Sequence, residues 1–343
     1  MIEALNEFAL NILRGINSVV GNYGWSVVLF TVLIRLILTP FDVKSRISMR
    51  KMALVQPKLQ ELQKKYAKDQ NKLNQKMSEL YRKEHVSPFS GCLPMLLSYP
   101  ILIWMFAAMR AFANEQVARQ VAEILQHPET MPVFDGWLWV KNLWMTDSPF
   151  TSAFVDLNTM RQVPWEIWTK TFTQDVLQSV TVAYPELATL TVESFSKDAV
   201  AQTIPVLYNA LTSTQVYAQN AGAVPGWTIN VLIASFSLMK TYNGLFLLPA
   251  LAVVSQLLMT KLTGNQQQPQ PQTQGNDQSQ QMGNFMKWFF PLLTLWFCAS
   301  SNAAFALYWL TSNLIMTAST ALINYFLDKK EKQNVIAGEG VVQ

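Results

Sequence analysis

The run Trp25–Leu38, WSVVLFTVLIRLIL, has the composition of a membrane-crossing helix and carries a permanent charge inside it, at Arg35. An Arg near a helix centre costs roughly 2.5–3.5 kcal/mol on insertion, whereas each Leu, Ile, Phe or Val there contributes roughly −0.3 to −0.6. The ten such residues in this run outweigh the charge, so the helix inserts with it. Charge flanks orient the helix from outside to inside, and a helical side chain leans toward its own N-terminus, so the guanidinium points into the membrane interior. It therefore calls for a water-filled cavity. Thr31, one turn earlier, extends the same polar stripe. The plainer alternative is an Arg that snorkels or pairs with a neighbouring helix.

Composition supports a membrane protein. Charged residues make up 14% of the chain against 50% hydrophobic, with 11 Trp and 19 Phe, which excludes an ordinary soluble enzyme. No phosphate loop, metal-ligand spacing or nucleophilic triad is present, so no cofactor, no metal and no bond chemistry are expected. Cys92 and Cys298 fall in separate apolar segments and are read as small packing residues. Residues 41–90 carry 12 Lys and Arg against 5 acids, which places that stretch in the cytoplasm. Residues 114–243 carry 6 basic and 11 acidic residues, weak support for an outside location.

Residues 1–22 read as an amphipathic helix on the membrane surface, with Ile2, Leu5, Phe8, Ile12, Leu13, Ile16 and Val19 at three-to-four spacing. They lack the basic start and cleavage site of a secretory leader, so they are expected to belong to the mature protein. A first transmembrane helix occupies 23–40, ended by Pro40. Within 41–90, Met52, Val55, Leu59, Leu62 and Tyr66, then Leu73, Met77 and Leu80, predict a cytoplasmic helical hairpin. A second span lies at 91–113. The extracytoplasmic region 114–243 follows, with Trp137, Trp139 and Trp144 read as an interfacial anchor and the structure beyond Phe150 left open. Trp227–Leu238 is read as surface-lying or partly embedded, and the third span is placed at 244–262. Residues 263–283 hold nine Gln and read as a flexible cytoplasmic linker. Spans four and five fall within 284–327, before a cytoplasmic tail at 328–343. The fold class is thus an all-α polytopic membrane protein with five transmembrane helices, its N-terminus outside and its C-terminus inside.

Three stretches carry a resemblance. TPFDVKSRISMRKMALVQPKLQELQKKY, KLNQKMSELYRKEHVSPFSGCLPMLLSYPI and the late ALYWLTSN resemble the YidC-type membrane protein insertases, over about 23–150 and 244–328. The resemblance implies a bacterial cell-membrane protein whose five helices enclose a hydrophilic groove, open to the cytoplasm and to lipid. Arg35 falls on the family's groove arginine and Thr31 on a polar position beside it. Gln256 resembles a groove-lining glutamine, and Tyr308 and Trp309 an aromatic pair that faces the groove. Also implied are nascent membrane proteins as substrates, the ribosome and the Sec translocon as partners, and membrane lipids; no DNA is expected, and a monomer suffices. Residues of about 151–243 have no counterpart in the short outer loop of five-helix relatives and read as an insertion. The competing class is a small-solute or anion transporter with Arg35 as its binding site. A third class is a passive scaffold whose outer domain binds an envelope partner.

Overall fold

A computed structural model describes residues 2–86, 93–231, 234–263 and 278–336. Twelve helices and one two-stranded sheet are found among them. In chain order they are α1 (Ile2–Val20), α2 (Tyr23–Lys65), α3 (Gln70–Lys83), α4 (Leu93–Gln126), α5 (Leu157–Gln162), α6 (Trp165–Thr171), α7 (Gln174–Ala183), α8 (Val200–Ser213), α9 (Gln215–Asn220), β1 (Ala223–Val231), β2 (Ala234–Met239), α10 (Leu247–Thr263), α11 (Gln278–Ser300) and α12 (Ala303–Ile336). Cys92 and residues 264–277 of the Gln-rich linker lie outside the described residues.

The chain divides into two compact units. The first comprises Met1–Phe30, Trp104–Leu251 and Trp296–Trp309. Its core gathers Val117, Val121 and Leu125 of α4 with Trp168, Phe172, Phe195, Ile204, Leu207 and Leu211, so the acidic stretch after α4 folds as a helical body around the end of that helix. Phe172 and Phe195 stack with centroids 4.8 Å apart, and the Tyr217 hydroxyl donates to the Val155 carbonyl at 2.9 Å. Burial pushes the Tyr217 phenol well above its ordinary value. α1 buries Ala9, Leu10 and Leu13, and Arg14 fastens it to α4 through Glu115 at 2.5 Å.

The loop before α5 is knotted to the segment before α10. Asn142 donates to Gln120 and to the Ala153 carbonyl, while Asn243 donates to the carbonyls of Asn142 and Thr146. Asp147, fully buried, accepts from the backbone N–H groups of Phe246 and Leu248 and so caps α10. Phe246 is left-handed at φ +62, and a Cβ on Gly244 would stand 1.9 Å from the Asp147 carboxylate, so this corner requires glycine.

The second unit comprises Thr31–Ile103, Ala252–Leu295 and Leu310–Gln343. In it the later half of α2 and α3 form a helical hairpin, with Val55, Leu59 and Val86 buried beside Met52, Met77, Leu80 and Tyr81. Lys58 pairs with Glu84 at 2.6 Å, and Asp69 caps α3 by accepting from the Lys72 N–H.

Several expectations are corrected. The first helix does not end at Pro40: α2 runs on through Pro40 and Pro57 to Lys65. A proline removes one intrahelical bond, and the flanking turns keep the remainder, so the helix absorbs it without stopping. α4 likewise continues past residue 113 to Gln126, because Val117, Val121 and Leu125 give it a buried face in the helical body that follows. Residues 278–283, read as linker, open α11, and the tail is helical to Ile336, beyond which it lies outside the described residues. Trp144 is buried in protein rather than anchored at an interface, its indole N–H donating to Asp135 at 2.6 Å. The all-α expectation fails at 223–239, where Trp227, Ile229 and Val231 alternate with Thr228 and Asn230 and form an antiparallel hairpin.

Candidate functional site

α2 presents two faces within the second unit. Thr31, Arg35, Asp42 and Arg46 follow one another at steps of four, seven and four residues and share one side, whereas Leu33, Leu36, Ile37 and Phe41 project from the other and are exposed. Only 22% of the most apolar window of α2 is buried, so this is not the core helix of a soluble protein. Among the described residues two helices, Tyr23–Lys65 and Ala303–Lys329, have the length and hydropathy to cross a membrane, and Leu247–Leu262 and Trp288–Ser300 are shorter apolar helices.

Arg35 is half-buried and meets a hydroxyl rather than a carboxylate. Its Nε donates to Ser312 Oγ at 2.7 Å, and Nη2 donates to the same oxygen. Among the described residues no carboxylate lies within ion-pair distance of it. The next residue of α12, Asn313, donates through Nδ2 to Gln256 Oε1 at 3.1 Å and to Ser255 Oγ at 3.2 Å on α10. Three helices thereby supply one polar seam, Arg35 with Ser312 and Asn313 with Ser255 and Gln256. Thr31 is fully buried on the Arg35 face. Arg46, nearly buried, has an Nη1 with no hydrogen-bond partner among the described residues.

Pro40 has no N–H to give the carbonyl of Leu36, and both stand on the exposed apolar side of α2, away from the Arg35 face. The seam holds one guanidinium with no carboxylate in ion-pair contact among the described residues, Asp42 standing two turns farther along the same face, with donors left over after Ser312 and several neutral hydroxyl and amide groups. Such a set attracts a carboxylate or a peptide carbonyl more strongly than water-exposed groups do.

Of the five residues singled out from sequence, the structure brings Thr31, Arg35 and Gln256 into the second unit. Tyr308 and Trp309 belong to the first, where Phe305 lies 6.2 Å from the Tyr308 ring and 5.7 Å from that of Trp309. The Trp309 indole N–H has no partner among the described residues. Ser255, Ser312, Asn313 and Arg46 escaped the sequence reading. The signal was present in α12, where Asn313, Thr317 and Thr320 follow at steps of four and three with Ser312 beside them inside an apolar helix, and all four are buried.

A profile of the family described as 60Kd inner membrane protein matches residues 15–331. Three relatives, each named Membrane protein insertase YidC, come from Francisella tularensis subsp. novicida (strain U112), subsp. holarctica (strain LVS) and subsp. tularensis (strain SCHU S4 / Schu 4). Each is 43% identical over 106 residues, which cover 31% of this chain and 19% of the relative. The chain thus matches less than a fifth of the length of those relatives.

Proposed function

The chain belongs to the 60Kd inner membrane protein family, and from that premise we propose that it is a membrane protein insertase of the bacterial cell membrane, with its N-terminus outside and its C-terminus in the cytoplasm. Five helices, the apolar parts of α2, α4, α10, α11 and α12, cross the bilayer and enclose a hydrophilic groove. Thr31, Arg35 and Gln256 line it, with Ser312 and Asn313 as supports, and Tyr308 and Trp309 earlier along α12 are assigned as substrate-facing aromatics.

The observation that carries the reading is the Arg35 guanidinium bound to a neutral hydroxyl, with no carboxylate within ion-pair distance of it among the described residues. A polar tail crossing hydrocarbon loses several kcal/mol for each polar group left unsatisfied. A wet recess part-way through the membrane shortens that dry path, and an uncompensated Arg draws an acidic tail or a bare backbone into it. Ser312 holds the guanidinium in place without cancelling its charge, so attraction stays available and release stays possible. Exposed Leu33, Leu36, Ile37 and Phe41 then accompany the substrate's apolar segment into lipid. The transfer uses partition energies alone and requires no cofactor.

Nascent membrane proteins are the substrates in this reading, received from the ribosome at the basic helical hairpin and released either independently or beside the Sec translocon, with one copy of the chain sufficing. The test is insertion into vesicles that hold the purified protein. Arg35→Ala is expected to lower insertion of substrates with acidic translocated tails by about tenfold or more, as loss of one charged interaction predicts. Arg35→Lys is expected to retain part of the activity, since it keeps the charge and loses the planar donor fork. Wild-type insertion by Arg35→Ala across such substrates refutes the groove role. Normal insertion together with lost uptake of an anion favours the transporter class instead.

A further inference from the structure

The hairpin β1–β2 is amphipathic in an unusual way. Its register pairs Ile229 with Phe236 and Val231 with Ala234, which puts Trp227, Ile229, Val231, Phe236 and Leu238 on one face. Thr228 pairs with Ser237 and Asn230 with Ser235 on the other, and these side chains close on each other at 3.0 Å and 2.7 Å. The polar face is therefore self-satisfied, while the apolar face stays largely exposed, with the Phe150 ring packed against Phe236. Trp227 is 66% exposed, Ile229 58%, Val231 50% and Phe236 42%.

Two further observations say what covers that face. Residues 223–239 contain no Asp, Glu, Lys or Arg, so nothing there opposes contact with an apolar phase or offers a protein partner a charge to pair with. The base of the hairpin is also continuous with the start of α10. Met239 N–H donates to the Pro149 carbonyl, Lys240 N–H to that of Gly222, and Asn243 N–H to that of Thr151, which fix the strand ends beside the capped corner from which Leu247 begins the helix. Phe150, its ring tilted against that of Phe236 with centroids 5.5 Å apart, and Leu245, Leu247 and Leu251 are further exposed apolar residues at that corner. A two-stranded hairpin is marginal in water by itself, and an apolar phase under one face supplies what the protein does not.

We infer that β1–β2 is a lipid-contacting paddle, resting its Trp227–Ile229–Val231–Phe236 face on the outer surface of the bilayer where α10 enters. This rests on the reading of α10 as a membrane helix. The paddle lies at the headgroup level rather than in hydrocarbon, because both strand edges carry N–H and C=O groups that water and lipid carbonyls satisfy there. Trp227 is a residue type suited to that depth.

The experiment uses the full chain carrying Cys92→Ser and Cys298→Ala, with a single nitroxide spin label at Ile229→Cys, Thr228→Cys or Val254→Cys, in phosphatidylethanolamine–phosphatidylglycerol vesicles. All three sites are exposed, so labelling leaves the packing intact. The expected result is that the label at 229 relaxes with dissolved oxygen several-fold more than with an aqueous nickel chelate relative to its neighbour at 228, with 254 marking the bilayer. If 254 reports lipid while 229 matches 228 in water, the paddle is wrong and the membrane reading of α10 stands. If 254 also reports water, both fall. Dipolar broadening at 229 that dilution with unlabelled chain removes means the face is covered by a second copy, which likewise overturns the proposal.

Discussion

Asp147 ties three parts of the chain to one carboxylate. Its oxygens accept from the Phe246 and Leu248 N–H groups and from the Trp139 indole at 3.2 Å, and the Asp147 side chain is itself fully buried. Removing it leaves those donors without a partner and Phe246 in a left-handed conformation that has lost its tether. Asp147→Ala is expected to destabilise the protein by about 2–3 kcal/mol and to raise hydrogen exchange at the start of α10 before elsewhere, measured by mass spectrometry in micelles. Unchanged exchange at 246–250 overturns the capping role. Arg35 shows the reverse economy, because its partner is a hydroxyl that leaves its charge intact. Arg35 was legible from sequence, since a charge inside an apolar run is visible without coordinates. Ser312 was not, because a serine in a membrane helix is common and only its place beside Arg35 gives it meaning.

At the scale of elements, hydrophobic periodicity located most helices but not their ends. Pro40 read as a stop, yet one missing N–H does not undo a helix whose turns on both sides keep their bonds. The alternation of Trp227, Ile229 and Val231 was hidden inside a stretch apolar enough to read as a membrane-surface segment. The helical hairpin was legible because its facing stripes repeat at three and four, and its polar fastenings lead to a pH prediction. The Lys72 N–H holds the Asp69 carboxyl below its ordinary range, and the Lys58 ammonium does the same for Glu84. Carboxyls with lowered folded-state values contribute stability above the ordinary carboxylate range and lose it as pH falls through the lowered values. The amides of α3 are therefore expected to stay protected at neutral pH and to exchange faster, after correction for intrinsic rates, once pH drops below about 4. Asp69→Asn keeps an acceptor at the cap and removes its titration, so it is expected to flatten that response. An identical pH profile in the two proteins overturns the assignment to Asp69.

For the whole molecule, the decisive question is which cargo fails when the protein is withdrawn. Depletion is expected to leave newly made small membrane proteins with acidic outer tails stranded on the cytoplasmic side, detected by protease protection, while solute uptake stays normal. Loss of uptake of one anion with insertion intact refutes the insertase reading. The helical body of α5–α9 was the least legible part of the chain, since its helices are short and its core assembles from residues as far apart as Val117 and Tyr217. The long α2 holds the remaining consequence. Within the second unit it joins Arg35 to Leu59 without interruption, roughly 36 Å at the helical rise per residue. The turns that lost a bond to Pro40 and Pro57 are where such a rod bows first, so its mechanical compliance is set five and twenty-two residues beyond the charge.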